Sequence, residues 1–324
     1  MKTVFGPIPS RRLGQSLGID PIPLKTCNWN CVYCQLGRSR PMTNERKKYV
    51  DSELILAQLE AALNFHAPGE IDWLTFVGSG EPTLHAGLGK MIRMVKEMTD
   101  IPVAVITNGA LLFLPEVRQD LLAADAVLPS LDAGNANLYR KINRPHPGVP
   151  FDRVIEGMVA FGQTYQGKLW VEVMMVSGVN DSESVLREIA NILNRINPDE
   201  IHINQPIRPP AETWVQPTDD EGLLRARAIL GDRVRIFTFP DGHFDFGSDV
   251  DVVEAILTII TRHPMRQSEL EQTLQEWGKE EIKLALDKLQ ASGRAQIVER
   301  YGVRFWSAAI SFFPDLEKKP PQTD

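Results

Sequence analysis

Cysteine is scarce in this chain: 324 residues contain three, an odd number. That excludes a scaffold stapled by disulfides, which needs paired thiols spread along a short exported chain. Long apolar runs are missing as well. No stretch approaches the roughly 20 residues that cross a bilayer, because Asp, Glu or Gly interrupts each candidate, so no membrane partner is expected. The N-terminus, MKTVFGPIPSRRLGQ, lacks the apolar core of a secretory leader, and a cytoplasmic location is expected. Compositional bias is absent too. With 43% hydrophobic, 24% charged and 7% aromatic residues, the chain reads as a folded one and not as disordered or collagenous. The length fits one large domain plus a smaller one, or two domains.

Acid exceeds base overall, with a net charge of -7, but the excess is uneven. Residues 1–50 hold nine Lys or Arg against Asp20 and Glu45, a net of +7, so the other 274 residues carry -14. An acidic whole argues against indiscriminate nucleic-acid binding. The basic head either receives one anionic group or is a solvated surface.

The three cysteines are concentrated. Cys27, Cys31 and Cys34 all fall in the segment TCNWNCVYCQLG. Three thiolates on one short loop form a metal-ligand arrangement, and soft sulfur selects zinc or an iron–sulfur cluster over hard cations. Structural zinc takes four ligands, usually as two pairs, and no second pair exists here. His66, His85 or His146 would have to supply the fourth. The spacing C-x3-C-x2-C, with Tyr33 just before the last cysteine, resembles the signature of the radical S-adenosylmethionine (radical SAM) superfamily. The resemblance implies one [4Fe-4S] cluster on these three cysteines, with one iron left without a protein ligand. The amino and carboxylate groups of S-adenosylmethionine fill that position, and an open coordination position is where a metal site does chemistry.

Beyond the cysteines, helical stretches are expected at about 51–65, 86–99, 115–123, 151–164, 181–195 and 218–230. Between them lie the apolar runs IDWLTFVG, PVAVITN, DAVLPSLD, LWVEVMMVSG, EIHINQP and VRIFTF. With IDPI before the cysteines they suggest seven strands with helical crossovers, a parallel α/β sheet. Ligands of such sheets sit beyond the carboxyl ends of the strands, so polar residues just after each run matter most.

Four such places stand out. GSGEP follows the second run: Gly80 permits close approach, Pro82 follows, and the Glu81 carboxylate suits an ammonium, although the segment also fits a plain turn before a helix. Thr107 and Asn108 end the third run, and Ser130 and Asp132 end the fourth; both pairs suit a ribose or a carboxylate, or serve as caps. Glu172 is a charge inside an apolar run, either solvated or facing inward as a ligand, whereas Met174 and Met175 read as core. Cysteine loop, GSGEP, TNG and SLD occur in the superfamily's order across roughly 18–240, with Ser79 in place of the first glycine of its GGEP element. The resemblance implies a partial, six-stranded (β/α) barrel, with a seventh strand extending it here. It also implies that Tyr33, Gly80, Glu81, Pro82, Thr107, Asn108, Ser130, Asp132 and Glu172 lie around the cofactor.

FGPIPSRRLGQSLGID before the cluster loop and QLGR after it are similar to the wyosine-type tRNA-modifying group. That group carries further cysteines for a second cluster, which this chain lacks, and an arginine where Glu172 stands here.

From about Ser248 the pattern changes. DVVEAILTII, a stretch capped at Ser268 and KEEIKLALDKLQ read as three helices, followed by two strands joined at Tyr301-Gly302. These resemble a winged helix. The expected division is a barrel over 1–247, this domain over 248–312 and a disordered tail over 313–324. The candidate reading helix has a net charge of zero, and residues 249–324 hold ten basic against thirteen acidic residues, which disfavours sequence-specific DNA binding. Docking on the barrel, or presenting a protein or RNA substrate through Arg294, Arg300 and Arg304, is the alternative. Arg208, in QPIRPP, either binds a carboxylate or phosphate or braces its loop.

The function expected is reductive cleavage of S-adenosylmethionine to a 5′-deoxyadenosyl radical, which abstracts hydrogen from RNA or another anionic substrate. A flavodoxin or ferredoxin would supply the electron. Two alternatives remain: an enzyme that modifies or activates a protein or peptide, and a non-enzymatic iron–sulfur regulator.

Overall fold

The structure, a computed structural model, describes residues 2–39, 41–237, 251–275 and 277–314. Short β-branched runs alternate with amphipathic stretches, and the backbone follows that alternation. The chain opens with an antiparallel hairpin, β1 (Val4–Ser10) and β2 (Gly14–Ile19). From β2 onward the strands run parallel: β3 (Trp73–Phe76), β4 (Val103–Thr107), β5 (Ala126–Pro129), β6 (Lys168–Met174), β7 (Glu200–Asn204) and β8 (Val234–Ile236). All eight lie side by side in chain order, with β1 and β8 as edges, so the sheet is a partial barrel.

Helices make each crossover: α1 (Ser52–Phe65), α2 (Leu88–Met98), α3 (Pro115–Leu121), the pair α4 (Ala136–Ile142) and α5 (Phe151–Thr164), α6 (Glu183–Ile196) and α7 (Asp220–Leu230). Their starts are chemically marked. Asp51, Asn135 and Asp219 each accept a backbone N–H of the first turn, and Pro115 opens α3.

Alternation along the strands separates two environments. Leu74, Phe76, Val103, Val105, Val171, Val173, Ile201 and Ile203 face the helices in one continuous apolar core. On the inner face a small plug of Leu13, Ala104, Ala126 and Leu128 packs with Trp73, Ile106 and Trp170. The rest of that inner face is polar: Ser16 Oγ and Thr75 Oγ1 share a 2.6 Å hydrogen bond, and the Trp170 and His202 rings lie 5.3 Å apart.

The seven parallel strands match the sequence reading, and the helices it anticipated in the barrel fall within two residues of their expected limits. Three features differ. Strand β1 was not anticipated, because VFGPIPS contains two prolines; an edge strand with a register shift between Phe5 and Ile8 tolerates them. The strand before the cysteines is Gly14–Ile19, since Asp20 and Pro21 of IDPI end the ladder. Helix α4 is short and hidden within a polar stretch.

The C-terminal residues form α8 (Val252–Arg262), α9 (Gln267–Thr273), α10 (Lys279–Ala291) and a hairpin of β9 (Ala295–Arg300) with β10 (Val303–Ala308). Ile256, Ile260, Leu270, Ile282, Leu286 and Trp306 build a core of their own there. Tyr301 and Gly302 both adopt positive φ, 58° and 69°, the geometry of a tight two-residue turn where the sequence placed the joint. Ser268 is not a cap. Helix α9 begins one residue earlier, and Glu269 accepts the Arg266 backbone N–H at 2.8 Å. Phe313 is buried under the Arg300 guanidinium and belongs to the fold instead of a tail. The expected boundary at 247–248 and tail residues 315–324 lie outside the described residues. Among the described residues no helix is long and apolar enough to cross a membrane.

Candidate active site

Cys27, Cys31 and Cys34 lie in the loop after β2, packed beside buried Trp29 and Val32. Each sulfur accepts hydrogen bonds from different segments. Cys27 Sγ accepts from Trp29 N at 3.4 Å and Asn108 Nδ2 at 3.7 Å, Cys31 Sγ from Asn143 Nδ2 at 3.7 Å, and Cys34 Sγ from Lys25 Nζ at 3.2 Å. The surrounding protein pushes the Cys27 thiol up to about 12 and that of Cys31 well above its usual range. Burial is the main cause of both shifts, and the donors aimed at sulfur work against it by favouring the thiolate, the form that binds a soft metal. Burial opposes the Lys25 charge, yet the Cys34 and Cys27 sulfurs hold it above the ordinary lysine range.

Three thiols with none of the named histidines beside them fit a centre that leaves one coordination position open. Among the described residues no three His, Cys, Asp or Glu side chains are grouped to hold one metal ion. The histidines proposed as fourth ligands are engaged elsewhere: His85 Nε2 meets Val50 O at 2.8 Å, His66 meets Glu70, and His146 accepts from Gly148 N.

Glu81 sits at the end of β3, 1% exposed, and caps a short 3-10 turn over Pro82–Leu84. Its Oε1 accepts from Thr83 N at 3.0 Å, Thr83 Oγ1 at 2.6 Å and Thr107 Oγ1 at 2.5 Å. Its Oε2 accepts from Asn108 N at 2.7 Å and, among the described residues, from no other donor, which leaves acceptor capacity for one more. Burial raises the Glu81 pKa, and the hydrogen bonds from Thr107 and Thr83 work against the rise. Gly80 has no room for a side chain, since a Cβ would come 2.0 Å from Thr26 O. Asn108 ties this corner to the cysteines: its Nδ2 reaches Cys27 Sγ and donates to Asn28 Oδ1 at 2.8 Å. GSGEP, TNG and the cysteine loop therefore meet at one place.

Asp132 is used internally. Its Oδ2 accepts from Tyr33 Oη at 2.5 Å and Asn143 Nδ2 at 2.6 Å, and its Oδ1 from Met174 N at 2.9 Å. It braces the cluster loop through Tyr33. Ser130 pairs in register with Glu172 on the neighbouring strand. Glu172 points into the lumen and ion-pairs with Arg12, which the β1–β2 turn carries inward. Arg12 is lowered to about 10 by burial and then by Arg11; among the described residues its Nε has no hydrogen-bond partner, nor do His202 Nδ1 and Asn204 Oδ1 on the inner face of β7. Met175 is core and Met174 half-buried beside it.

The model of the radical SAM superfamily matches residues 22–189, from the cysteine loop to the middle of α6. The chain belongs to the radical SAM superfamily. It is therefore an enzyme, and the non-enzymatic regulator reading falls. Members of this superfamily use a [4Fe-4S] cluster and S-adenosylmethionine. The radical SAM chain is 38% identical over 280 residues to a UPF0026 protein of Methanocaldococcus jannaschii, covering 85% of this chain and 86% of that one. A UPF0026 protein of Helicobacter pylori is 36% identical over 222 residues, 68% of this chain and 71% of its own. Among solved structures, a radical SAM methyltransferase from Sphaerobacter thermophilus matches with a TM-score of 0.53 and 18% identity, covering 68% of this chain and 66% of that one, a likeness of fold.

Several residues of the site escaped the sequence reading. Asn28 and Asn143 are fully buried beside the cysteines, and Asp20 holds Ser79. Asp20 ends a strand, the position that already singled out Asp132, and was legible on that ground; Asn28 and Asn143 carried no such signal. Glu212, far along the chain, clamps the cluster loop by accepting from Arg38 Nε at 2.6 Å and Nη2 at 2.8 Å, and from Arg144 at 2.6 Å. Arg208 braces: it donates to Pro264 O at 2.9 Å and faces Glu269. Of the three arginines named for the hairpin, Arg300 is buried and donates to Pro210 O, whereas Arg294, paired with Glu254, and Arg304 are exposed.

Proposed function

We propose that Cys27, Cys31 and Cys34 hold one [4Fe-4S] cluster and that the Glu81 corner holds the methionyl end of S-adenosylmethionine. When bound, these groups supply reductive cleavage of the sulfonium and hydrogen abstraction from a substrate. The chain's own residues do the positioning. Glu81 Oε2 offers a buried acceptor to an ammonium, Asn108 and Asn143 donate to cysteine sulfur, and Asp132 fixes Tyr33 against the loop. The observation that carries this reading is the meeting of GSGEP and TNG with the cysteine loop through Asn108 and Glu81.

The substrate is held in the lumen, where Arg12, Glu172, His202 and Asn204 keep polar atoms turned inward. Arg11 and Arg12 favour an anionic substrate, such as RNA or a small carboxylate or phosphate. An acidic flavodoxin or ferredoxin donates the electron at the basic face of α4, where Arg140 and Lys141 are exposed one turn from Asn143.

Anaerobic purification tests the cofactor reading. About four iron and four sulfide per chain are expected, with release of 5′-deoxyadenosine on reduction. Each of Cys27→Ala, Cys31→Ala and Cys34→Ala should abolish both. One zinc per chain and no iron after reconstitution would refute it. Identification of RNA, a peptide or a small anion that co-purifies separates the substrate classes, and a peptide would favour the protein-modifying alternative.

A further inference from the structure

Arg262 ends α8 and reaches from the C-terminal domain into the barrel. Its guanidinium donates to Asp20 Oδ2 from Nε at 3.3 Å and from Nη2 at 3.2 Å, and it lies 4.4 Å over the Phe5 ring. Its own carbonyl accepts from Gln35 Nε2 at 2.7 Å, one residue past Cys34. A single residue thus touches both the cluster loop and the end of β2.

Asp20 is 1% exposed, and among the described residues Arg262 is its one cationic partner. The same carboxylate accepts from Ser79 Oγ at 2.7 Å and Ser79 N at 3.2 Å. Ser79 is the second residue of GSGEP. Little slack separates it from Glu81: Ser79 O accepts from Lys25 N at 2.5 Å, Glu81 N donates to Thr26 O at 2.9 Å, and a Cβ on Gly78 would come 2.9 Å from Asp20 Oδ1. A buried carboxylate without its cation would be drawn toward solvent, away from the serine that it orients.

We propose that the C-terminal domain is a positioning element for the cofactor loop, acting through Arg262, which neutralises Asp20 so that Asp20 can fix Ser79 and, through it, Glu81. This rests on the reading of Glu81 as the methionyl contact. It also gives Ser79, where the superfamily's GGEP element has glycine, a purpose: its hydroxyl receives the tether. The domain is in this view part of the active-site wall.

The test measures S-adenosylmethionine affinity by equilibrium dialysis on cluster-loaded full-length protein. The proteins are wild type, Arg262→Gln, Asp20→Asn, the double variant, and Tyr301→Phe. Tyr301 Oη donates to Pro206 O at 2.5 Å and ties the same two domains away from the loop, which makes it the control for seam loosening. Arg262→Gln and Asp20→Asn should each weaken binding about ten- to a hundred-fold with iron content retained. The double variant leaves no unpaired buried charge and should recover most of the loss, while Tyr301→Phe should bind as wild type does. Wild-type affinity in either single variant, or an equal loss in Tyr301→Phe, overturns the proposal. Should Arg262→Gln fail to fold, Asp20→Asn and the double variant decide in the same way. Absence of binding by the wild type overturns the Glu81 reading itself, and the proposal with it.

Discussion

At the scale of single residues the site is built from saturated carboxylates. Asp132, Glu212 and Glu81 each accept three or more hydrogen bonds, and the first two are spent on holding the cysteine loop. Glu81 differs, because Oε2 retains capacity beside Asn108 N. Glu81→Gln should keep iron content and weaken S-adenosylmethionine binding about ten- to a hundred-fold, since a charge-assisted hydrogen bond is worth roughly 1.5–3 kcal/mol. Unchanged affinity in equilibrium dialysis would take Glu81 out of the cofactor site. The sequence put Glu81 in the loop after the second apolar run, where the structure also has it, and singled out the cysteines by their spacing. It left open whether Glu172 faces solvent or the interior. That choice depends on Arg12, 160 positions away in the β1–β2 turn, entering the lumen to meet it.

Among the elements, α4 has the sharpest consequence. Its buried face carries Leu138, Tyr139 and Ile142, its end delivers Asn143 to the Cys31 sulfur, and its outer face exposes Arg140 and Lys141. A short helix that touches the Cys31 sulfur on one side and offers two cations on the other suits electron entry. Arg140→Glu with Lys141→Glu should slow flavodoxin-driven turnover about tenfold or more at low ionic strength and flatten its salt dependence. Turnover driven by dithionite should not change. Equal losses with both reductants would place the donor elsewhere. The helix was not legible in the sequence, because seven residues, about two turns, are too few to show a period; tertiary packing of Tyr139 against Trp29 and Phe151 holds it.

For the whole molecule the two apolar cores are separate, yet the seam between them is polar and closely bonded. Arg262 to Asp20, Arg208 to Pro264 O, Arg300 to Pro210 O, Tyr301 to Pro206 O and Arg38 N to Phe312 O all cross it. A seam of this kind couples unfolding of the parts. Calorimetry should therefore show one cooperative transition, and Tyr301→Phe should lower stability by roughly 0.5–1.5 kcal/mol without splitting it. Two resolved transitions in the wild type would mean that the domains melt independently.

What the sequence determined by itself was local: hydrophobic period set the seven parallel strands and most helices, Tyr301-Gly302 set the hairpin turn, and the C-x3-C-x2-C spacing put three thiols on one loop. These features depend on residues within a few positions of one another, where propensity and spacing act directly. Tertiary structure alone decided which distant partners meet. Glu212 on the cysteine loop, Arg12 against Glu172, and Arg262 on Asp20 join residues separated by 160 positions or more. No local pattern encodes such pairs. Burial makes an unpaired charge costly wherever it falls, and only the completed fold determines which opposite charge is near enough to relieve it.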